Sequence, residues 1–180
     1  MNGESIPYGG GYNTAGVVSV FYAYRSDILS FPTLAEPLTA TTLESLVEIT
    51  TPIVMKTGKR IWDLYGTLGE GKLDCNSVGP RDGKSYENMV EFSHPGNSPK
   101  FLGFLANAGN ETFVLFCKEK NGRVRIVGSL EDPAYFEDGK STSGAKPSDG
   151  RVTKVSFKDS KNTPAPIYTP ALTSLLVPAV

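Results

Sequence analysis

Between residues 112 and 127 the chain reads TFVLFCKEKNGRVRIV. Two runs rich in β-branched and aromatic residues flank Asn121-Gly122, the dipeptide that best suits a tight hairpin because both central positions of its turn need positive φ. Antiparallel sheet is therefore the framework into which the rest must fit. Residues 17–25 (VVSVFYAYR) read as a strand on the same composition. Residues 47–55 and 59–65 flank the turn signal Lys56-Thr57-Gly58 and read as a second hairpin, with Ile61, Leu64 and Tyr65 around a core Trp62. Residues 86–93 (YENMVEFS) and 151–158 (RVTKVSFK) alternate polar with apolar, as half-buried strands do.

One helix interrupts this pattern. Ser98 is a natural N-cap, Pro99 suits the first helical turn and Gly109 the C-terminal cap. Between them Phe101, Leu102, Leu105 and Ala108 share a face, so the helix lies near 99–108 across a sheet or its open end. Residues 26–46 read as loop with a short helix near 42–46, and 66–85 as a long loop with a short strand inside. Residues 131–150 hold almost no core material after Phe136 and read as a surface loop or a segment that orders on assembly. The sum is a mainly β chain: an antiparallel β-sandwich or barrel of about seven strands, one flanking α-helix, a long loop and extended terminal arms. Its expected divisions are a Gly-rich, flexible N-terminal arm at 1–16, one β-sandwich domain at 17–162, and an arm at 163–180.

The last division rests on charge. Residues 162–180 (NTPAPIYTPALTSLLVPAV) carry no charged side chain and four prolines. The prolines and the polar first half exclude a membrane span, and the Leu, Ile and Val content is wrong for a solvated tail. Such a segment wants to lie extended on an apolar surface. If that surface belongs to a second copy, Ile167, Tyr168, Leu172, Leu175 and Leu176 are the subunit-interface residues.

Candidate chemistry is thin. Gly66 to Lys72 (GTLGEGK) fits the core of a phosphate-binding loop, but Leu73 stands where a Ser or Thr must hold magnesium, and no helix follows. His94 is the only histidine, and His-Pro-Gly most simply makes a turn. Glu131, Asp132, Glu137 and Asp138 cluster in a polar stretch where they are solvated. Arg123 and Arg125 point together on one strand face, as a solvated or salt-bridging pair. Cys75 and Cys117 lack metal-site spacing and read as free thiols. No catalytic residue, cofactor or metal ligand is expected, so the chain reads as a non-enzyme. With 18 Lys and Arg against 19 Asp and Glu, a wholly basic nucleic-acid surface is excluded. The start MNGESIPYGGGYNTAG has neither the basic region nor the apolar stretch of a signal peptide, which points to synthesis in a cytoplasm.

The order of features resembles the tail tube proteins of tailed bacteriophages. Over residues 47–169 a strand ending in KRIWDLYGT is followed by VGPRDGKSYENMVEFSHPG and the helical SPKFLGFLANAGN. Then come FVLFCKEKNGRVRIVGSLEDPA, SGAKPSDG, VTKVSFKD and the closing PAPIYT. The resemblance implies a β-sandwich with a flanking helix that forms homo-hexameric rings stacked into a tube. One sheet of each subunit would line a channel through which genomic DNA passes transiently, and the long loop and arms would bridge rings. It further implies other phage tail proteins as partners and location in the virion after synthesis in a bacterial host. A neck or tail-terminator ring protein is the near alternative, and a carbohydrate- or surface-binding β-sandwich module the more distant one.

Overall fold

The computed structural model describes residues 5–7 and 13–179; of the N-terminal arm expected at 1–16, residues 1–4 and 8–12 lie outside the described residues. In chain order the strands are β1 (Val17–Tyr24), β2 (Ile28–Ser30), β3 (Glu48–Ile49), β4 (Val54–Met55), β5 (Trp62–Leu64), β6 (Lys72–Val78) and β7 (Ser85–Pro95). Helix α1 (Pro99–Ala108) follows, then β8 (Thr112–Glu119), β9 (Val124–Val127), β10 (Ala134–Thr142), β11 (Val152–Lys161), β12 (Ile167–Tyr168) and the single-turn helix α2 (Thr173–Leu176). The chain is mainly β, a curled sheet with a flanking helix.

Strand β8 is the axis of the fold, because it pairs with β1 on one side and with β9 and β10 on the other. From β10 the sheet runs through β11 and β7 to β6, every step antiparallel. An isolated bridge from Val17 to Gly71 then brings the foot of β6 back to β1, so the sheet curls into a barrel. Gly71 is what the approach requires: a Cβ there would sit 2.9 Å from the Val17 carbonyl oxygen.

The FVLFC run within β8 is apolar on both faces because it separates two cores. Phe113, Leu115 and Cys117 face the barrel interior with Val20, Phe92 and Phe157. Val114 and Phe116 face the opposite way, into a second core with Ile28, Ile61, Ile126, Tyr168 and Leu175. Helix α1 plugs the barrel, its Ser98 cap accepting the Phe101 N–H at 3.3 Å. Phe101, Phe104, Leu105 and Ala108 face the interior. Leu102, expected on that face, is exposed, and Phe104 takes its place against Tyr22, Phe113 and Phe157.

Several expectations are corrected. The segment 47–65 is not a hairpin. Its turn forms, with Lys59 N–H donating to the Lys56 carbonyl at 2.9 Å, but β3, β4 and β5 pair with β12, β2 and β1 respectively. These strands part because Ile49, Ile53, Met55 and Ile61 wrap the second core. Trp62 is not core: it is 43% exposed and lies under the Arg60 guanidinium, 4.1 Å from the ring centroid. Residues 131–150 are not a simple loop either, since β10 runs through Thr142 paired to β11. Backbone pairing builds that strand, and its exposed side chains hid it. The short strand expected inside the 66–85 loop is β6, seven residues long. Short strands raise the number from about seven to twelve among the described residues, and the β12–β3 pair is parallel.

The largest correction concerns residues 163–179, Val180 lying outside the described residues. They are not an arm leaving the domain at 162. Ile167 and Thr169 donate backbone N–H bonds to Val47 and Ile49, and Pro166 accepts from Ile126. The Tyr168 hydroxyl accepts the Ile53 N–H at 3.2 Å. Farther on, Leu175 accepts from Ile61, Ala179 accepts from Gly58, and Ala179 donates to Lys59. The uncharged end roofs the second core of its own chain, where Tyr168 and Leu175 are buried and Leu172 and Leu176 pack partly. Ile167 is half-buried.

Candidate functional site

Of the five proposed interface residues, Tyr168 and Leu175 are spent inside their own subunit. A different surface stands out: the outer face of the four-stranded sheet β6-β7-β11-β10. Its inner face carries Val90, Phe92, Val155 and Phe157, so strict alternation turns the intervening residues outward. These include Lys72 and Asp74 on β6, Glu87 and Glu91 on β7, Lys154 and Lys158 on β11, and Asp138 and Lys140 on β10. Four lysines meet four carboxylates. Lys72 bridges Asp74 at 2.9 Å and Glu91 at 3.0 Å, and Lys158 reaches Glu87 across strands at 3.1 Å. Hydrogen bonds to Asp74 and then Glu91 hold the Lys72 ammonium above its ordinary pKa, and the bond to Glu87 does the same for Lys158. A trough of about 860 Å³ runs along this face between Glu70 and Asp149.

Among the described residues both lateral edges of this sheet are open, and β6 pairs only with β7 beyond the Gly71 bridge. β10 touches β8 only at Ala134 and Tyr135, so among the described residues its stretch from Phe136 to Thr142 is paired on one side alone. Because the sheet has an even number of antiparallel strands, its two free edges run in opposite directions.

A second feature lies inside the body. Asn88 and Asp159 face each other on β7 and β11, and neither is exposed. Asn88 Nδ2 donates to Asp159 Oδ1 at 2.7 Å, and Lys161 Nζ contacts Asp159 Oδ2 at 2.8 Å. The Gly128 N–H also donates to Asp159 Oδ2, and the Ala165 N–H to Asn88 Oδ1 at 2.8 Å. Every hydrogen-bonding need that burial creates here is met, as it must be for a charge away from water. Sequence reading passed over this cluster. The available signal was a polar residue at an inward position of each strand, Asn88 in phase with Val90 and Phe92, and Asp159 in phase with Val155 and Phe157.

The remaining candidates resolve into structural roles. GTLGEGK makes a turn that feeds strand β6, not a helix. His94 lies on β7 with Nδ1 2.9 Å from the Tyr65 carbonyl oxygen, and its ring stacks on Phe101 at 3.7 Å. Arg123 is exposed, but Arg125 is drawn inward: its Nε donates to the Ala165 carbonyl and its Nη1 lies 3.6 Å from Glu119. Glu137 and Asp138 stand on β10, while Glu131 and Asp132 are exposed in the turn before it. Both cysteines are free, and burial pushes the Cys117 thiol well above its ordinary pKa. Among the described residues no group of His, Cys, Asp and Glu is arranged to hold a metal ion, and no helix is long and apolar enough to cross a membrane. Comparison with protein-family models, curated proteins and solved structures finds no match to this chain.

Proposed function

We propose that this chain is a non-enzymatic structural subunit of a bacteriophage virion, and specifically a tail tube protein that assembles into stacked rings around a DNA channel. The observation that carries the reading is the open, four-stranded antiparallel sheet with a charge-balanced outer face. Its edges suit head-to-tail addition: β10 of one copy beside β6 of the next keeps the antiparallel alternation, and rotation about a common axis closes the series. The outer faces then form the wall of a channel. Equal numbers of lysines and carboxylates along that wall favour transit over binding, because a basic lining would hold phosphate through counterion release. The hexameric count and the phage assignment rest on the resemblance to tail tube proteins alone. The alternative within the same class is a neck or tail-terminator ring.

Negative-stain microscopy of the purified protein over rising concentration tests this. Tubes support the tail tube reading and single rings the connector. A protein that stays monomeric at high concentration, even when seeded with preformed tubes, refutes both. A second reading has one observation of its own: Trp62 is 43% and Tyr65 58% exposed, and aromatic faces of this kind stack on sugars. Arg60 already occupies one face of the indole, which weakens it. Glycan-array binding by a stable monomer, abolished in Trp62→Ala, is the result that favours a carbohydrate-binding module.

A further inference from the structure

The buried trio of Lys161, Asp159 and Asn88 holds an amine and a carboxamide on the two oxygens of one carboxylate. From this geometry we infer that the trio is a self-cross-linking site, joining Lys161 Nζ to Asn88 Cγ as an isopeptide bond with loss of ammonia. The inference does not depend on the assembly role.

Three requirements of amide exchange are present. The nucleophile is a lysine whose side chain is only 9% exposed, held 2.8 Å from a wholly buried carboxylate. Lysine becomes nucleophilic only on losing its proton, and the carboxylate it touches is placed to accept it. The electrophile is the Asn88 carboxamide, which hydrogen-bonds through Nδ2 to the other oxygen of that carboxylate at 2.7 Å. The third requirement is a donor at the oxygen where charge develops. The Ala165 N–H already points at Asn88 Oδ1 from 2.8 Å. Register places the reactants within reach, because Asp159 faces Asn88 directly and Lys161 faces Tyr86, making Lys161 and Asn88 diagonal neighbours. Rigid strands supply the proximity that a slow reaction between two unactivated groups needs.

The step balances as follows. Asp159 takes one proton from the Lys161 ammonium. The neutral amine attacks Asn88 Cγ, and the carbonyl electron pair moves onto Oδ1 at the Ala165 N–H. Asp159 passes its proton to Nδ2 and receives another from Nζ. The Cγ–Nδ2 bond breaks as the carbonyl reforms, ammonia leaves, and it carries off the last proton as ammonium. No oxidant, metal or cofactor enters. Lys161 also lines a surface hollow of about 250 Å³, together with Thr163 and Pro166. The bond would tie β7 to the end of β11, directly before the segment that roofs the second core.

Mass spectrometry of the denatured full chain tests the inference. The expected mass is below that of the sequence by one ammonia, and trypsin should yield residues 85–100 joined to 159–180 with Lys161 uncut. Lys161→Arg keeps a cation beside Asp159 and permits folding, yet it should restore the full mass and release the two peptides separately. Recovery of unlinked wild-type peptides, with Asn88 as an intact carboxamide, overturns the proposal whatever the variants do. Because Asp159→Ala threatens folding, the wild-type mass and Lys161→Arg carry the decision.

Discussion

Leu175→Ala separates a chain that roofs its own core from one that lends its end to a neighbour. Leu175 is 4% exposed and lies in the second core beside a backbone bond from Ile61 to its own carbonyl. Truncation removes three carbons, worth about 0.8 kcal/mol each in transfer free energy. A cavity adds to this, and leucine-to-alanine changes in cores span about 2–5 kcal/mol. Helix α2 is a single turn near the chain end and can settle into the gap, so the lower part applies: about 2–3 kcal/mol. For a domain of this size that lowers Tm by about 4–12 °C. The assay is thermal and urea unfolding at a concentration where the protein is monomeric, with Val177→Ala as control because Val177 is 63% exposed. The control should stay within about 0.5 kcal/mol of the wild type. If Leu175→Ala also falls within that margin, residues 163–179 do not stabilise the subunit and the two-core description fails.

Gly128→Ala should cost more than about 2 kcal/mol, read as a lower urea midpoint: Gly128 has φ 95°, and a Cβ there would stand 2.6 Å from the Phe113 carbonyl oxygen. An unchanged midpoint would show that the turn before β10 is not held as described. Tyr22 should titrate late, since burial and then the neighbouring Tyr24 push it up from 10.0 to about 12. A raised folded value means the contribution of Tyr22 is full below pH 10 and is lost as pH rises toward about 12. Ultraviolet titration should therefore show late-ionising phenols, Tyr168 being raised by burial as well, and Tyr22→Phe should remove the Tyr22 contribution and lessen the loss of stability at alkaline pH. Titration of every tyrosine in a single step near the ordinary value would contradict the packing of Tyr22 on Phe104.

Where one segment carries its own signal, sequence and structure agree. The Asn121-Gly122 hairpin, the Ser98-capped helix and the strands at 17, 86 and 152 all announce themselves by turn chemistry, a cap or clean alternation. Pairings set by distant partners were not legible. The turn at Lys56 to Gly58 forms as its residues demand, yet the strands beside it serve β12, β2 and β1, because the second core lies between them. β10 escaped notice for the opposite reason: past Phe136 it buries nothing, and only β11 makes it a strand. An uncharged end signals a need for an apolar surface, but no local pattern tells that β1, β8 and β9 already provide one. The Asn88–Asp159 pair shows how a residue-type search misses chemistry that depends on two strands meeting in register.

For the proposed assembly, burial of the uncharged end within its own chain moves the contact elsewhere. The exposed apolar side chains that remain, such as Leu29, Leu38, Leu68 and Val177, are distributed along the chain, so the sheet edges become the stronger candidates for contact. Open edges are hazardous, and lysines placed on them usually keep other strands away. Here the lysine at the start of β6 is neutralised by its own neighbours, Asp74 and Glu91, and leaves that edge approachable. Lys140 on the β10 edge stands opposite Lys154 instead, and like charges in register repel. On the ring reading, a carboxylate on β6 of the next copy relieves that repulsion. An edge that is strained alone and satisfied by one particular partner favours ordered addition of identical subunits over indiscriminate pairing.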